Sequence, residues 1–213
     1  MPAPCQMRAL RSAELPAQAI IPQPELTLPA AEAEWLRAAY ARAGAILEYG
    51  SGGSTVMAAG MPGKTIWSVE NDAEWAAMMN GWFAANPGAS AVNIQHVDLG
   101  ETKKWGMPEN FRLWRRFARY PLEIWGIPGF TQPDVVLVDG RFRVGCLLAA
   151  MIHTTRPIPV YFDDYAGRER YHEVEALLRP SEIRGRMARF DVTPRQIAPG
   201  ELLRIMELMQ RPL

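Results

Sequence analysis

The chain has 213 residues, 48% hydrophobic and 22% charged, with 23 basic residues balanced by 23 acidic ones. That composition fits one ordinary globular domain with room for a real core. A net charge of zero argues against a nucleic-acid binder that relies on bulk charge, and no apolar run approaches the roughly 18 residues needed to cross a bilayer. The two cysteines, Cys5 in a proline-rich stretch and Cys146 in an apolar helical one, do not suggest a disulfide framework. With no basic-then-apolar pattern at the start, a cytoplasmic setting is expected.

Residues 1–28 carry five prolines and little periodicity, apart from a short helical pattern over Ala9 to Leu15. They read as an arm that packs on the body or on a second copy in a homodimer. Residues 29–213 read as a single domain. A helix is expected from Thr27 to Gly44, with Thr27 as cap, Pro29 in the first turn and Glu32 and Glu34 at its positive end. Short apolar runs follow at 45–49, 65–69, 91–97, 134–138 and 157–162, each expected to be a strand. Helical patterns lie between them at 56–59, 73–85, 144–153 and 171–178. A further strand is expected over Gly185 to Thr193 and a helix over Glu201 to Gln210. Strand and helix alternate, which predicts an α/β fold: a doubly wound, mostly parallel sheet with helices on both faces.

The chain is organised around Glu48-Tyr49-Gly50-Ser51-Gly52-Gly53-Ser54-Thr55, between the first strand and the first short helix. Three glycines in four positions allow a tight turn and close approach of backbone to a ligand. The helix that follows points free N–H groups back at that turn. Four strands end in an acid: Glu70, Asp98, Asp139 and Asp163. Ligands of such sheets bind outside the carboxyl ends of the strands. The dinucleotide fingerprint Gly-x-Gly-x-x-Gly fails here, because Thr55 or Met57 falls at its last glycine.

An apolar strand followed by acid-x-Gly-x-Gly resembles the first motif of the class I S-adenosylmethionine-dependent methyltransferases, with the third glycine displaced to Gly53 and Ser54 in its usual place. The resemblance covers roughly residues 30–195 in element order and implies a Rossmann-like methyltransferase fold. It implies S-adenosyl-L-methionine as cofactor. Glu48, Tyr49 and the Gly50, Ser51, Gly52, Gly53, Ser54 turn would lie beside the methionine part. Glu70, with Asn71 next to it, would take the ribose hydroxyls. Asp98 and Leu99 would border the adenine, and Asp139 would face the transferred methyl.

The acceptor side is less specified. Residues 100–132 form a long connection rich in aromatic and basic residues, expected to be a lid-like segment. On a helix, Arg112, Arg115, Arg116 and Arg119 share one face and Phe111, Trp114 and Phe117 another. Asp139, Asp163 and Arg141 are the candidate catalytic residues, with Arg141 or Arg143 placed to grip an acceptor carboxylate or phosphate. Metal-dependent O-methyltransferases of the catechol type share this fold. Their pattern implies a Mg²⁺ site at Asp139, Asp163 and Asp164, three hard oxygen ligands. The expected activity is methyl transfer to a small molecule or sugar at oxygen, the acceptor being anionic. The alternatives are a nicotinamide-dependent oxidoreductase and a non-catalytic binding subunit of methyltransferase-like fold.

Overall fold

The computed structural model describes residues 21–212. The predicted Ala9–Leu15 helix and Cys5 lie outside them. Its centre is a seven-stranded sheet made of β1 (Ala45–Tyr49), β2 (Thr65–Glu70), β3 (Ala91–His96), β6 (Val135–Val138), β7 (Ile158–Phe162), β8 (Glu182–Arg184) and β9 (Met187–Val192). A separate two-stranded hairpin, β4 (Thr102–Lys103) and β5 (Met107–Pro108), stands between β3 and β6. The strand order in the sheet is β3-β2-β1-β6-β7-β9-β8. The first five are parallel, and β9 runs antiparallel to both β7 and β8. The doubly wound, mostly parallel sheet expected from the alternation is therefore present. The strand over 185–193 is β9, and β8 is an additional edge strand without a sequence signal.

The central strands are apolar on both faces because both faces are covered. In β6, Val135 and Leu137 join one core cluster, while Val136 and Val138 join the other. The first of those clusters holds α1 (Ala30–Arg42) and α2 (Gly53–Ala59) against the sheet through Trp35, Leu36, Tyr40 and Ala58. The second packs α5 (Arg143–His153) and α7 (Leu202–Met209) on the other face. α3 (Ala73–Ala85) starts where the sequence places it, with the Asp72 carboxylate accepting from Trp75 N–H at 3.0 Å. The expected Thr27 cap is not made: α1 begins after Pro29 without a side-chain cap. The helix expected over 171–178 is one α-turn, α6 (Glu169–His172), followed by a 3₁₀ turn. Among the described residues, no helix is long and apolar enough to cross a membrane.

Residues 100–132 do not form the amphipathic helix that their arginine spacing suggests. They hold the β4–β5 hairpin, a 3₁₀ turn at Trp114–Arg116 and a short helix, α4 (Arg119–Leu122). The aromatic face is split: Phe111 and Trp114 are exposed, while Phe117, Tyr120 and Ile124 are buried. Burying those three large apolar groups outweighs the continuation of one helix.

Candidate active site

Chain order reverses between β1 and β6. β1 runs outward to β2 and β3 on one side, and β6 leads to β7 on the other. At this switch point a cavity of about 840 Å³ opens at the carboxyl ends of the strands. Its floor is the glycine turn, Gly50 to Ser54. Gly50 has φ +100°, and a Cβ there would lie 2.8 Å from Gly140 N, so only glycine fits. A Cβ on Gly52 would meet nothing within 4 Å, so this glycine leaves open space. A Cβ on Gly53 would collide with the backbone of Glu25 and Leu26. The displaced third glycine of the motif thus accommodates the N-terminal arm. Pro24 to Leu28 form one wall of the cavity, a role without sequence signal.

Glu70 ends β2 at one end of the cavity and is buried. Its Oε1 accepts from Asn71 N–H at 2.8 Å and Asp72 N–H at 3.0 Å, and its Oε2 from Ser51 N–H at 3.3 Å. Burial raises its pKa, and those N–H donors oppose the shift. Asn71 donates to Gly106 O at 2.7 Å, while its Oδ1 is buried with no hydrogen-bond partner among the described residues. Lys104, Trp105 and Gly106, from the connection inside the hairpin, close this end together with Trp75. Among the described residues, Trp105 (φ 65°), Phe142 (φ 51°) and Asp164 (φ 58°) are the non-glycine ones with left-handed backbone. Two of them line the cavity, and the third sits between the lining residues Arg141 and Arg143. Such strain collects where surrounding structure over-determines a site.

At the other end, Asp139 follows β6 and Asp163 and Asp164 follow β7, with Asp139 N–H bonded to Tyr49 O and Asp163 N–H to Val138 O. Arginines stand among these acids. Arg143, buried, pairs with Asp139 at 3.0 Å and Asp164 at 3.3 Å. Arg186 grips Asp163 through Nε at 2.9 Å and Nη2 at 2.7 Å. Arg168 pairs with Asp164 at 2.5 Å. Burial raises the pKa of Asp139; Arg143 opposes the shift and the neighbouring Asp163 carboxylate adds to it. Arg186 is placed by Glu32, whose carboxylate accepts the Arg186 N–H at 2.9 Å. Glu32 sits in the first turn of α1, as expected, and its buried carboxylate also positions Arg186.

Several expected site residues lie elsewhere. Glu48 is completely buried on the α1–α2 face, accepting from Tyr40 Oη at 2.7 Å and from Thr55 Oγ1. Strand period two sends its side chain there and not into the cavity. Burial pushes its pKa up to about 7, against the hydrogen bonds from Thr55 and Tyr40. Tyr49 points into the opposite core, donating to Pro121 O at 2.6 Å. Asp98 is exposed and pairs with Arg116 at 2.6 Å, and Leu99 is buried in the core. Neither borders the cavity. The Mg²⁺ donor set does not fit either. Asp139, Asp163 and Asp164 are brought together, but guanidinium groups already lie between their oxygens, and no metal-holding cluster exists among the described residues. Arg186 and the 24–28 wall are the site elements that sequence reasoning missed.

A parallel α/β sheet with a glycine turn after β1, an acid after β2 and an antiparallel β9 inserted beside β7 has the class I methyltransferase architecture. No protein-family model and no curated protein matches the chain. Among solved structures it is similar to a methyltransferase-like protein from Silicibacter pomeroyi: 52% identity, 89% of this chain and 99% of that chain covered, TM-score 0.86. It also matches, with 14% identity and a TM-score of 0.43, an O-methyltransferase from Bacillus cereus in complex with SAH, over 74% of this chain and 64% of that one. With 16% identity and a TM-score of 0.36 it matches the N-terminal domain of EvdMO1 in the presence of SAH and D-fucose, over 83% and 71%. The similarity to the Silicibacter protein places the chain in its family: it belongs to the methyltransferase-like proteins of this fold.

Proposed function

We propose that the protein transfers the methyl group of S-adenosylmethionine to an oxygen of a small molecule. The observation that carries this reading is the polarity of the cavity. One end pairs an acid, Glu70, with the glycine turn; the other pairs Asp139 with arginines. A nucleoside with a free ribose diol suits the first end, since Glu70 Oε2 is met by two long bonds, Ser51 N–H and Ser51 Oγ both at 3.3 Å, which ribose hydroxyls can replace. The unpartnered Asn71 Oδ1 suits an amino group on the base, and the open space at Gly52 suits the methionine portion.

Bound there, the cofactor supplies an electrophilic methyl group on a sulfonium. The protein's own contribution is then positional and electrostatic. The glycine turn and Glu70 hold one reactant, and the Asp139 end holds the other within the same enclosure, which converts a bimolecular encounter into an oriented one. Asp139 is the general base: its carboxylate takes the proton of the acceptor hydroxyl. Arg143 keeps Asp139 in place and favours its ionised form. Residues 24–28 and 104–106 keep water from the reacting atoms.

Calorimetric titration with S-adenosylhomocysteine, and separately with NAD, tests the proposal. S-adenosylhomocysteine is expected to bind and NAD not. Tight NAD binding without a response to S-adenosylhomocysteine overturns the proposal in favour of a nicotinamide enzyme. Binding without turnover of any hydroxylated acceptor supports a non-catalytic subunit instead.

A further inference from the structure

Four arginines, Arg141, Arg143, Arg168 and Arg186, border the end of the cavity that holds three carboxylates. Three of them are matched. Arg143 meets Asp139 and Asp164, Arg168 meets Asp164, and Arg186 meets Asp163. Arg141 is different. Among the described residues no carboxylate lies within ion-pair distance of it, and its Nε is buried with no hydrogen-bond partner. It is half-buried and lines the cavity. Its backbone is fixed, because its carbonyl accepts from Cys146 Sγ at 3.4 Å and Phe142 beside it is buried in a left-handed conformation. The guanidinium is therefore held at the wall without the acid that each neighbouring arginine has.

A partly desolvated cation with unused donors is costly unless something satisfies it. Burial lowers its pKa, and the adjacent Arg143 charge adds to that, so the group carries the strain of a missing counter-charge. Protein carboxylates do not fill the gap, which leaves the cavity's contents. The planar fork of a guanidinium matches a carboxylate or phosphate bidentately. The opposite end of the cavity, with Glu70, repels the same group, so the charge pattern also sets the direction in which an anion enters.

We infer that Arg141 binds an oxyanion, carboxylate or phosphate, carried by the methyl acceptor, so that the substrate class is anionic hydroxylated small molecules. The word acceptor rests on the methyltransferase reading; the anion site does not. Arg141 anchors the substrate's charged group, while Asp139 addresses its hydroxyl. Neutral sugars and cationic amines lack the group that Arg141 requires, and the second are repelled by it.

The test uses the full chain saturated with S-adenosylhomocysteine, titrated with benzoate, with inorganic phosphate and with benzyl alcohol as the neutral control. One or both anions are expected to bind the native protein, at least tenfold more tightly than they bind Arg141→Gln, and benzyl alcohol is expected to show no such difference. Which anion responds distinguishes a carboxylate from a phosphate substrate. Affinity for S-adenosylhomocysteine is expected to stay within twofold in the variant. Native protein that binds neither anion, equal anion affinity in Arg141→Gln, or benzyl alcohol bound as tightly as benzoate overturns the inference. If S-adenosylhomocysteine itself fails to bind, the methyltransferase reading falls, and the same anion titration on the ligand-free protein still decides the role of Arg141. Should Arg141→Gln not fold, phenylglyoxal labelling of native Arg141, read by peptide mass, replaces it. Saturating benzoate or phosphate is expected to slow that labelling several-fold, and unchanged labelling by both overturns the inference.

Discussion

Gly50 and Gly140 meet backbone to backbone where β1 and β6 end. A Cβ on Gly50 would lie 2.8 Å from Gly140 N, and one on Gly140 would lie 2.9 Å from Gly50 N and run into Tyr120 Oη. Neither strand end can accept a side chain, so the two walls of the cavity are set by this contact. Gly50→Ala and Gly140→Ala are each expected to cost about 2 kcal/mol or more of stability. Gly52→Ala, facing open space, is expected to fold within about 0.5 kcal/mol of the native protein but to weaken S-adenosylhomocysteine binding. Chemical denaturation and calorimetric titration of the three variants check both halves, and equal stability losses in all three contradict them.

Glu70 orders three backbone N–H groups of the turn and of the start of α3. Glu70→Ala removes both that order and the acceptor for a ribose. S-adenosylhomocysteine affinity is expected to fall by about 2 kcal/mol, close to thirtyfold, the usual cost of losing a hydrogen bond to a charged group. Affinity unchanged in this variant places the nucleoside elsewhere.

Glu48 gives stability a pH dependence of opposite sign to an ordinary paired carboxylate. Its folded pKa, about 7, lies above the usual carboxylate value of 4.5. The folded state therefore holds the proton that the unfolded state releases, and stability falls as pH rises from about 4.5 to about 7. That window corresponds to about 3 kcal/mol at most. Glu48→Gln removes the titrating group, so its stability relative to the native protein is expected to improve between pH 5 and pH 8. Parallel melting-temperature curves for the two proteins over that range refute this.

Asp163 is fully buried and Arg186 is its bidentate partner, itself partly exposed. Arg186→Ala leaves the acid without a cation, and the expected cost is about 2 kcal/mol, below that of a wholly buried pair because water reaches the arginine side. Arg186→Lys, a point charge without the fork, is expected to recover only part of this. Denaturation midpoints of both variants provide the check.

The arginines among Asp139, Asp163 and Asp164 also bear on metal dependence. Mg²⁺ in millimolar amounts is expected to leave the melting temperature unchanged, and EDTA to leave methyl transfer unchanged. A saturable Mg²⁺-dependent rise in stability that disappears in Asp139→Asn is the contrary result.

The fold was readable because its signals are local. Val135 to Val138 is an unbroken apolar run that only a doubly covered strand needs, and Asp72 marks the start of α3. The glycine turn and Glu70 were readable for the same reason. What escaped depends on contacts distant in sequence. Glu48 looked like a ligand group because it precedes the turn, yet strand alternation and the Tyr40 hydroxyl take it to the far face. Asp98 matched the pattern of acids at strand ends, but Arg116 draws it to the surface. The arginine spacing over 112–119 suggested one helix, and burial of Phe117 and Tyr120 broke it. Arg186 reaches Asp163 from the turn between β8 and β9, and no local pattern announces such a partner.

The wall formed by Pro24 to Leu28 against Gly53 has a consequence for how the molecule is assembled. The cavity draws on residues from 24 to 186, so its two outermost contributors are separated by about three quarters of the chain. Such a site has high contact order, and its closure waits on pairing of β9 with β7. A fragment that stops at the end of β8 lacks Arg186, and one that starts after α1 has begun lacks a wall. Binding competence is therefore a property of the intact chain and cannot be divided between separately made halves.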